Sequence, residues 1–169
     1  MGTTLVALLW EEAAASRGLC IAHVGDSRCY RLRSGKLELL TRDHSLVEEQ
    51  VRAGLLSRVQ ATVSPMRNII TCAIGTQPTV DAEIATCDTQ PGDLYLLASD
   101  GLSRELDEGA IKRILANEAS PSVLAAGRDY AKAGHMVQAA LDTTCQALID
   151  AANANGGHDN ITVLLVACA

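Results

Sequence analysis

The sequence has no phenylalanine, and aromatic residues make up only 2% of its 169 positions. That leaves little material for the stacking platforms on which single-stranded nucleic acids are bound. Positive charge is also short: the net charge of −6 gives no cationic face for a phosphate backbone, so no nucleic-acid partner is expected. Long hydrophobic runs are missing. The longest, Val163 to Ala169, is far below the ~18 residues of a membrane span, and no membrane partner is expected. No basic segment followed by an apolar one opens the chain, so a secretory leader is not expected. Cysteine is present at positions 20, 29, 72, 87, 145 and 168 but never as C-x-x-C, which removes the zinc ribbon. Cys20, Cys72 and Cys168 sit in apolar runs, where a free thiol behaves as a small hydrophobe. The compartment reads as reducing and cytoplasmic.

What is present is ordinary globular material. Hydrophobic residues reach 48% against 20% charged, a balance that can build a core from Leu, Ile, Val and Ala. The length fits one domain over residues 1–169, and a domain of ~150 residues buries ~68–70% of its unfolded surface.

Strands are expected first. Met1–Trp10 reads as one, Glu11–Gly18 as a hairpin connection, and Leu19–Val24 as its partner. A turn at Gly25–Arg28 leads to Cys29–Arg33, and Ser34-Gly35 turns the chain into Lys36–Leu40. Ser45 and Glu48 have capping-box spacing and Gly54 suits a helix end, so Leu46–Ala53 is predicted helical. Leu55–Pro65 has no period and is expected to be an irregular, mobile surface loop. Asn68–Ile74 and Thr79–Cys87 look strand-like, and the all-apolar Leu94–Ala98 is typical of a strand buried on both faces. Helical patterns follow: Asp107–Ala116, a helix starting at Ser120-Pro121, and a stripe of Met136, Val137, Ala140, Leu141, Thr144, Cys145, Leu148 and Ile149. Ala133–Met136 is expected to interrupt two helical stretches, as a natural loop or an expression scar. Asn160–Ala167 is the last strand. Strands, then helices, then one strand imply an α+β fold.

Several chemistries lack their residues. No cysteine has an arginine six positions on, and H-E-x-x-H, G-x-S-x-G and G-x-x-x-x-G-K are all missing. What remains is a set of aspartates at strand ends: Asp26 in HVGDSR, Asp100 in LLASDGL and Asp159 in GGHDNITV. Such short carboxylates, flanked by small residues, suit a hard divalent cation. Asp-Gly, Asp-Ser and Asp-Asn are also turn formers, so each word alone has a second meaning.

The ordered phrases MGTTLVALL (1–9), AHVGDSRCYRL (22–32), TRDHSLVEEQVRAG (41–54), RNIITCAIG (67–75), PGDLYLLASDGL (91–102) and GGHDNITVLLV (156–166) resemble the C-terminal two-thirds of bacterial metal-dependent type 2C (PPM-family) serine/threonine protein phosphatases. The resemblance runs the whole chain, apart from a longer helical stretch around Ser120–Leu141. It implies a partial type 2C domain: an antiparallel two-sheet β-sandwich flanked by helices, with its N-terminal part missing. It also implies hydrolysis of phosphoserine and phosphothreonine in proteins by a metal-activated water, in signalling that counteracts a Ser/Thr kinase. Two Mg²⁺ or Mn²⁺ ions are implied, with a third, weaker site. Asp100 and Asp159 match the metal-binding aspartates of the core pair, and Asp26 with Asp100 matches the additional site. His44, Asn68 and Asn160 match supporting positions around the substrate and metals.

Departures from the family pattern are as informative. The R-x-x-N-x-D and D-G-x-G-G-H segments, which in the family supply a phosphate-binding Arg and the metal-bridging Asp, are absent. Ser64 precedes Pro65 where many members have His, and Cys72 stands where they have Arg. The chain alone is therefore expected to be weak or inactive as a phosphatase, and sheets without N-terminal strands are expected to self-associate through open edges. The alternative is a non-catalytic type 2C-like interaction module, or pseudophosphatase.

Overall fold

The computed structural model describes residues 2–13, 16–119 and 130–168. Its strands are β1 (Leu5–Ala13), β2 (Ser16–Val24), β3 (Arg28–Arg33), β4 (Lys36–Leu39), β5 (Glu83–Asp88), β6 (Leu94–Ala98) and β7 (Val163–Ala167). They form two antiparallel sheets, one in the order β1-β2-β5 and the other β4-β3-β6-β7. The helices are α1 (Leu46–Arg52), α2 (Arg58–Thr62), α3 (Asp100–Glu105), α4 (Glu108–Ile114) and α5 (Tyr130–Ala154), with a π-turn at Leu115–Ala119. This is the expected two-sheet arrangement with flanking helices. No described helix is long and apolar enough to cross a membrane.

β6 explains the layering. All five of its residues are buried because both of its faces are covered. Tyr95 and Leu97 point to the other sheet, where they meet Leu19 and Ile21 of β2 beside Cys29. Leu94, Leu96 and Ala98 point the other way, into a larger core with Leu102, Ile111, Leu115, Val137 and Leu148 from the helices. Each fully buried Leu contributes roughly 1.5–3 kcal/mol relative to an exposed one. Along α5, Val137, Leu141, Thr144 and Leu148 face this core as the stripe predicts, but Met136 is 74% exposed.

Other departures have local reasons. The β1–β2 register continues to Ala13↔Ser16, so much of the expected connection is strand; hairpin pairing satisfies backbone groups beyond the end of the apolar run. Asn68–Ile74 makes only two isolated bridges, Ser45↔Ile70 and Thr3↔Ile74, because its neighbours belong to different segments and no ladder can propagate. The strand expected from Thr79 starts at Glu83, and its alternating apolar residues face outward: Ile84 pairs with Ala22 and is 66% exposed. Within Leu55–Pro65 lies α2, started by a capping box between Ser57 and Gln60. Its apolar Val59 and the capping residue Val63 that follows it face solvent, which is why no helical period could be read. α5 runs through Ala133–Met136 without interruption. Asp107 caps α4, as its place at the start of the expected helix suggests. The helix start expected at Ser120-Pro121 lies outside the described residues.

Candidate metal centre

The sheet order places the three aspartates. β6 lies between β3 and β7, with Arg28 opposite Ala98 and Ala98 opposite Val163. The entry of β3, the exit of β6 and the entry of β7 therefore share one end of the sandwich. Asp26 precedes β3, Asp100 follows β6, and Asp159 precedes β7.

Local chemistry fixes each of them. Asp26 sits in a tight turn after Gly25, whose φ of +104° an L side chain rarely adopts, and a Cβ there would meet Thr4 Cγ2 at 2.3 Å. The Gly25 amide donates to His44 Nδ1 at 3.3 Å, and the His44 amide donates to the Gly25 carbonyl at 2.9 Å. His44 thus braces the turn that carries Asp26. At the β6 exit, Ser99 Oγ donates to the Asn160 carbonyl at 3.0 Å and accepts from the Thr162 amide at 3.0 Å. Gly101 completes this stitch. A Cβ on it would lie 2.4 Å from the Asn160 carbonyl oxygen, so only glycine lets α3 approach the loop bearing Asp159. Asp159 Oδ1 accepts from the Asn160 amide at 2.8 Å.

The carboxylates converge on a single guanidinium. Arg104, one turn beyond Asp100 on α3, donates from Nη1 to Asp159 Oδ2 at 2.9 Å and from Nη2 contacts Asp100 Oδ2. Asp26 is buried. Burial and then the Asp100 charge push its carboxyl above the ordinary carboxylate range, while Arg104 pulls the other way. The three form an acidic group with one cation set directly on two of its members.

A cleft of about 900 Å³ opens over this end, lined by Asp26, Asp100, Arg104, Arg28, Asp43, Glu105 and His158, with Arg58, Ala61, Thr62, Arg67 and Asn68 on the α2 side. The Leu55–Pro65 segment, expected as an irregular loop, lines this cleft through the short helix α2. Arg28 is committed within the cleft, donating to both Asp43 oxygens at 2.9 and 2.7 Å. Glu105 meets His158 Nδ1 at 2.8 Å, and that histidine holds its carboxyl below the ordinary range.

A second group brings ligand atoms of His23, His44 and Glu83 within 4.8 Å of one another. The backbone occupies one nitrogen of each ring. His23 Nε2 faces the Arg42 carbonyl at 2.6 Å and so carries its proton, and His44 Nδ1 accepts from Gly25. The His44 proton is then on Nε2, facing Glu83 at 3.6 Å. His44 is thereby committed to bracing the Asp26 turn.

Among the residues singled out in the sequence, Asp26, Asp100 and Asp159 gather at one end. His44 contacts the turn, Asn160 acts through its backbone, and Asn68 lines the cleft. Arg104, the Arg28–Asp43 pair and the Glu105–His158 pair were not anticipated. For Arg104 the spacing was there but the helix over Asp100–Glu105 was not expected: an arginine four residues after a candidate ligand faces that ligand only on a helix.

No family model matches the chain. It is 37% identical over 166 residues to the serine/threonine phosphatase stp of Listeria welshimeri, a match covering 98% of this chain and 56% of that protein. The crystal structure of the serine/threonine phosphatase Stp1 from Staphylococcus aureus superposes with a TM-score of 0.80 at 31% identity, over 100% of this chain and 57% of that one. A structure of the catalytic domain of the phosphatase PstP in complex with two manganese ions matches with a TM-score of 0.73 at 30% identity, over 98% and 58% of the two chains. The chain thus spans a little over half the length of the relatives it matches. In sequence and in fold alike, it is similar to the bacterial type 2C serine/threonine protein phosphatases over that portion.

Proposed function

We propose that this chain is part of a metal-dependent phosphatase acting on phosphoserine and phosphothreonine in proteins, in the cytoplasm, against a Ser/Thr kinase. The carrying observation is the convergence of Asp100 and Asp159 on one guanidinium, with Asp26 close enough for the Asp100 charge to raise its carboxyl. Three short carboxylates at rigid strand ends are the donor chemistry of Mg²⁺ or Mn²⁺, so the residues fit the group that the family implies. Asp100 and Asp159 would hold the core ions and Asp26 with Asp100 a third, weaker one. When bound, such ions supply a water of lowered pKa and positive charge for phosphoryl oxygens.

The chain's own residues do the rest. Gly101 and Ser99 hold the Asp159 loop against α3, His44 braces the Asp26 turn, and Arg58 and Arg67 on the cleft wall offer positive charge to a phosphorylated segment. Residues 1–169 are read as one partial domain. The open edges of the β1-β2-β5 sheet, beside the exposed Leu5 and Leu9, support self-association.

Two carboxylates on α3 and the Asp159 loop do not satisfy two hard cations by themselves, so the chain alone is expected to turn over little substrate. The second reading, a non-catalytic module, is favoured by Arg104, a cation already seated between Asp100 and Asp159. The test is hydrolysis of p-nitrophenyl phosphate in millimolar Mn²⁺, by the chain alone and with the unspanned portion of the Listeria relative supplied in trans. Turnover that appears only on complementation, and is lost in Asp100→Asn, supports the first reading. Full turnover by the chain alone overturns the partial-site reading, and none in either arm favours the module.

A further inference from the structure

We propose that Arg104 is a built-in cation latch: its guanidinium occupies the place between Asp100 and Asp159 that a divalent ion would take, and metal binding must displace it. This rests on the metal-binding reading above. The geometry is specific. Arg104 reaches Asp100 one helical turn behind it and Asp159 on a separate loop, so a single side chain spans both carboxylates. Three other charged groups in the cleft are engaged elsewhere. Arg28 is held by Asp43, Arg58 lies near Glu48 at 3.6 Å, and Glu105 is engaged by His158.

The balance of charge explains why the latch can open. One guanidinium faces two carboxylates, with a third nearby, so the group remains under-neutralised. A divalent ion brings twice the charge and oxygen-ligand chemistry that arginine lacks. The Arg104 side chain is 32% exposed, so released guanidinium can return to water without burying a charge. Its contacts therefore act mainly as competition: metal must be concentrated enough to win the carboxylates.

The experiment is Mn²⁺ binding to the full 169-residue chain, followed by isothermal titration calorimetry and by loss of the free-Mn²⁺ electron paramagnetic resonance signal. The variants are Arg104→Ala, Arg104→Gln, and each combined with Asp159→Asn. Removing the latch is expected to tighten Mn²⁺ binding roughly tenfold, equivalent to ~1.4 kcal/mol, and Asp159→Asn is expected to abolish that gain. As a check on the wild-type chain, Mg²⁺ should shift the Arg104 Nε–H resonance, assigned by its loss in Arg104→Gln. Unchanged or weaker affinity in both Arg104 variants, with Asp159→Asn weakening binding in each, would overturn the latch and leave the metal site standing. Binding insensitive to Asp159→Asn in every background would overturn both.

Discussion

The two ends of β6 carry the same chemistry in opposite states. At its start, Asp93 is 1% exposed and both of its oxygens are engaged by Arg33, at 2.7 and 2.6 Å. The Gln90 amide and the Tyr95 hydroxyl also donate to it, at 2.9 and 3.3 Å. At the other end, Asp100 shares one arginine with Asp159, and the side chains are 26% and 45% exposed. One carboxylate is saturated and closed over; the others are crowded, open and short of positive charge. A saturated buried pair serves folding, because any other cation would have to break its bonds and desolvate. An under-neutralised open group retains the capacity to take a further cation.

The largest effect that would sharpen this contrast is on stability. Arg33→Ala leaves Asp93 buried with its charge uncompensated, and should cost about 3 kcal/mol. Arg104→Ala at the open end should cost under ~1 kcal/mol. Urea unfolding of the two variants measures the difference, and equal losses would mean that the two ends are not distinct.

Gly101→Ala should have an intermediate effect. Its Cβ would meet the Asn160 carbonyl at 2.4 Å, and because that atom is backbone the whole loop must move. Overpacking of this kind costs about 1–3 kcal/mol. The displacement should also part Asp159 from Asp100, read as weaker Mn²⁺ binding. Wild-type stability and affinity would show that the close approach of α3 to this loop is not needed.

The smallest effect concerns pH. Burial and Asp100 raise the Asp26 carboxyl above its ordinary 3.8, so the folded chain binds that proton more tightly than the unfolded one. Linkage then lowers stability as pH rises from about 3.8 through the raised value, and the penalty persists above it. In EDTA, Asp26→Asn should raise the urea midpoint at pH 7 and lose this advantage below the ordinary carboxylate range. A midpoint difference that does not change with pH would show that the open end carries no electrostatic cost.

Much of this architecture was legible before any coordinates. The apolar run at Leu94–Ala98 announced a strand buried on both faces because no polar residue interrupts it. Ser45 and Glu48 announced α1 through capping geometry that depends on local spacing alone, and Ser45 Oγ accepts the Glu48 amide. The readings failed where pattern and partner separate. Ile84 alternates like a buried residue, but no described residue buries it. Val59 and Val63 obscured α2 because a surface helix need not be amphipathic when its ends are capped. Asn68–Ile74 has strand-forming residues but no single neighbour along which to pair.

The site divides along the same line. Asp26, Asp100 and Asp159 could be named from the sequence, since each stands where an apolar strand meets small residues, and that is a property of a few adjacent positions. Their convergence could not be read so directly, because it depends on β6 lying between β3 and β7, an order fixed by packing between distant segments. Arg104 shows the limit most clearly. Its place one turn after Asp100 follows from helical spacing, but its second partner, Asp159, comes from a loop held within reach by Gly101 and Ser99. Local chemistry chose the charges; only the tertiary structure decided which of them face one another, because electrostatic pairing depends on distance in space and not along the chain.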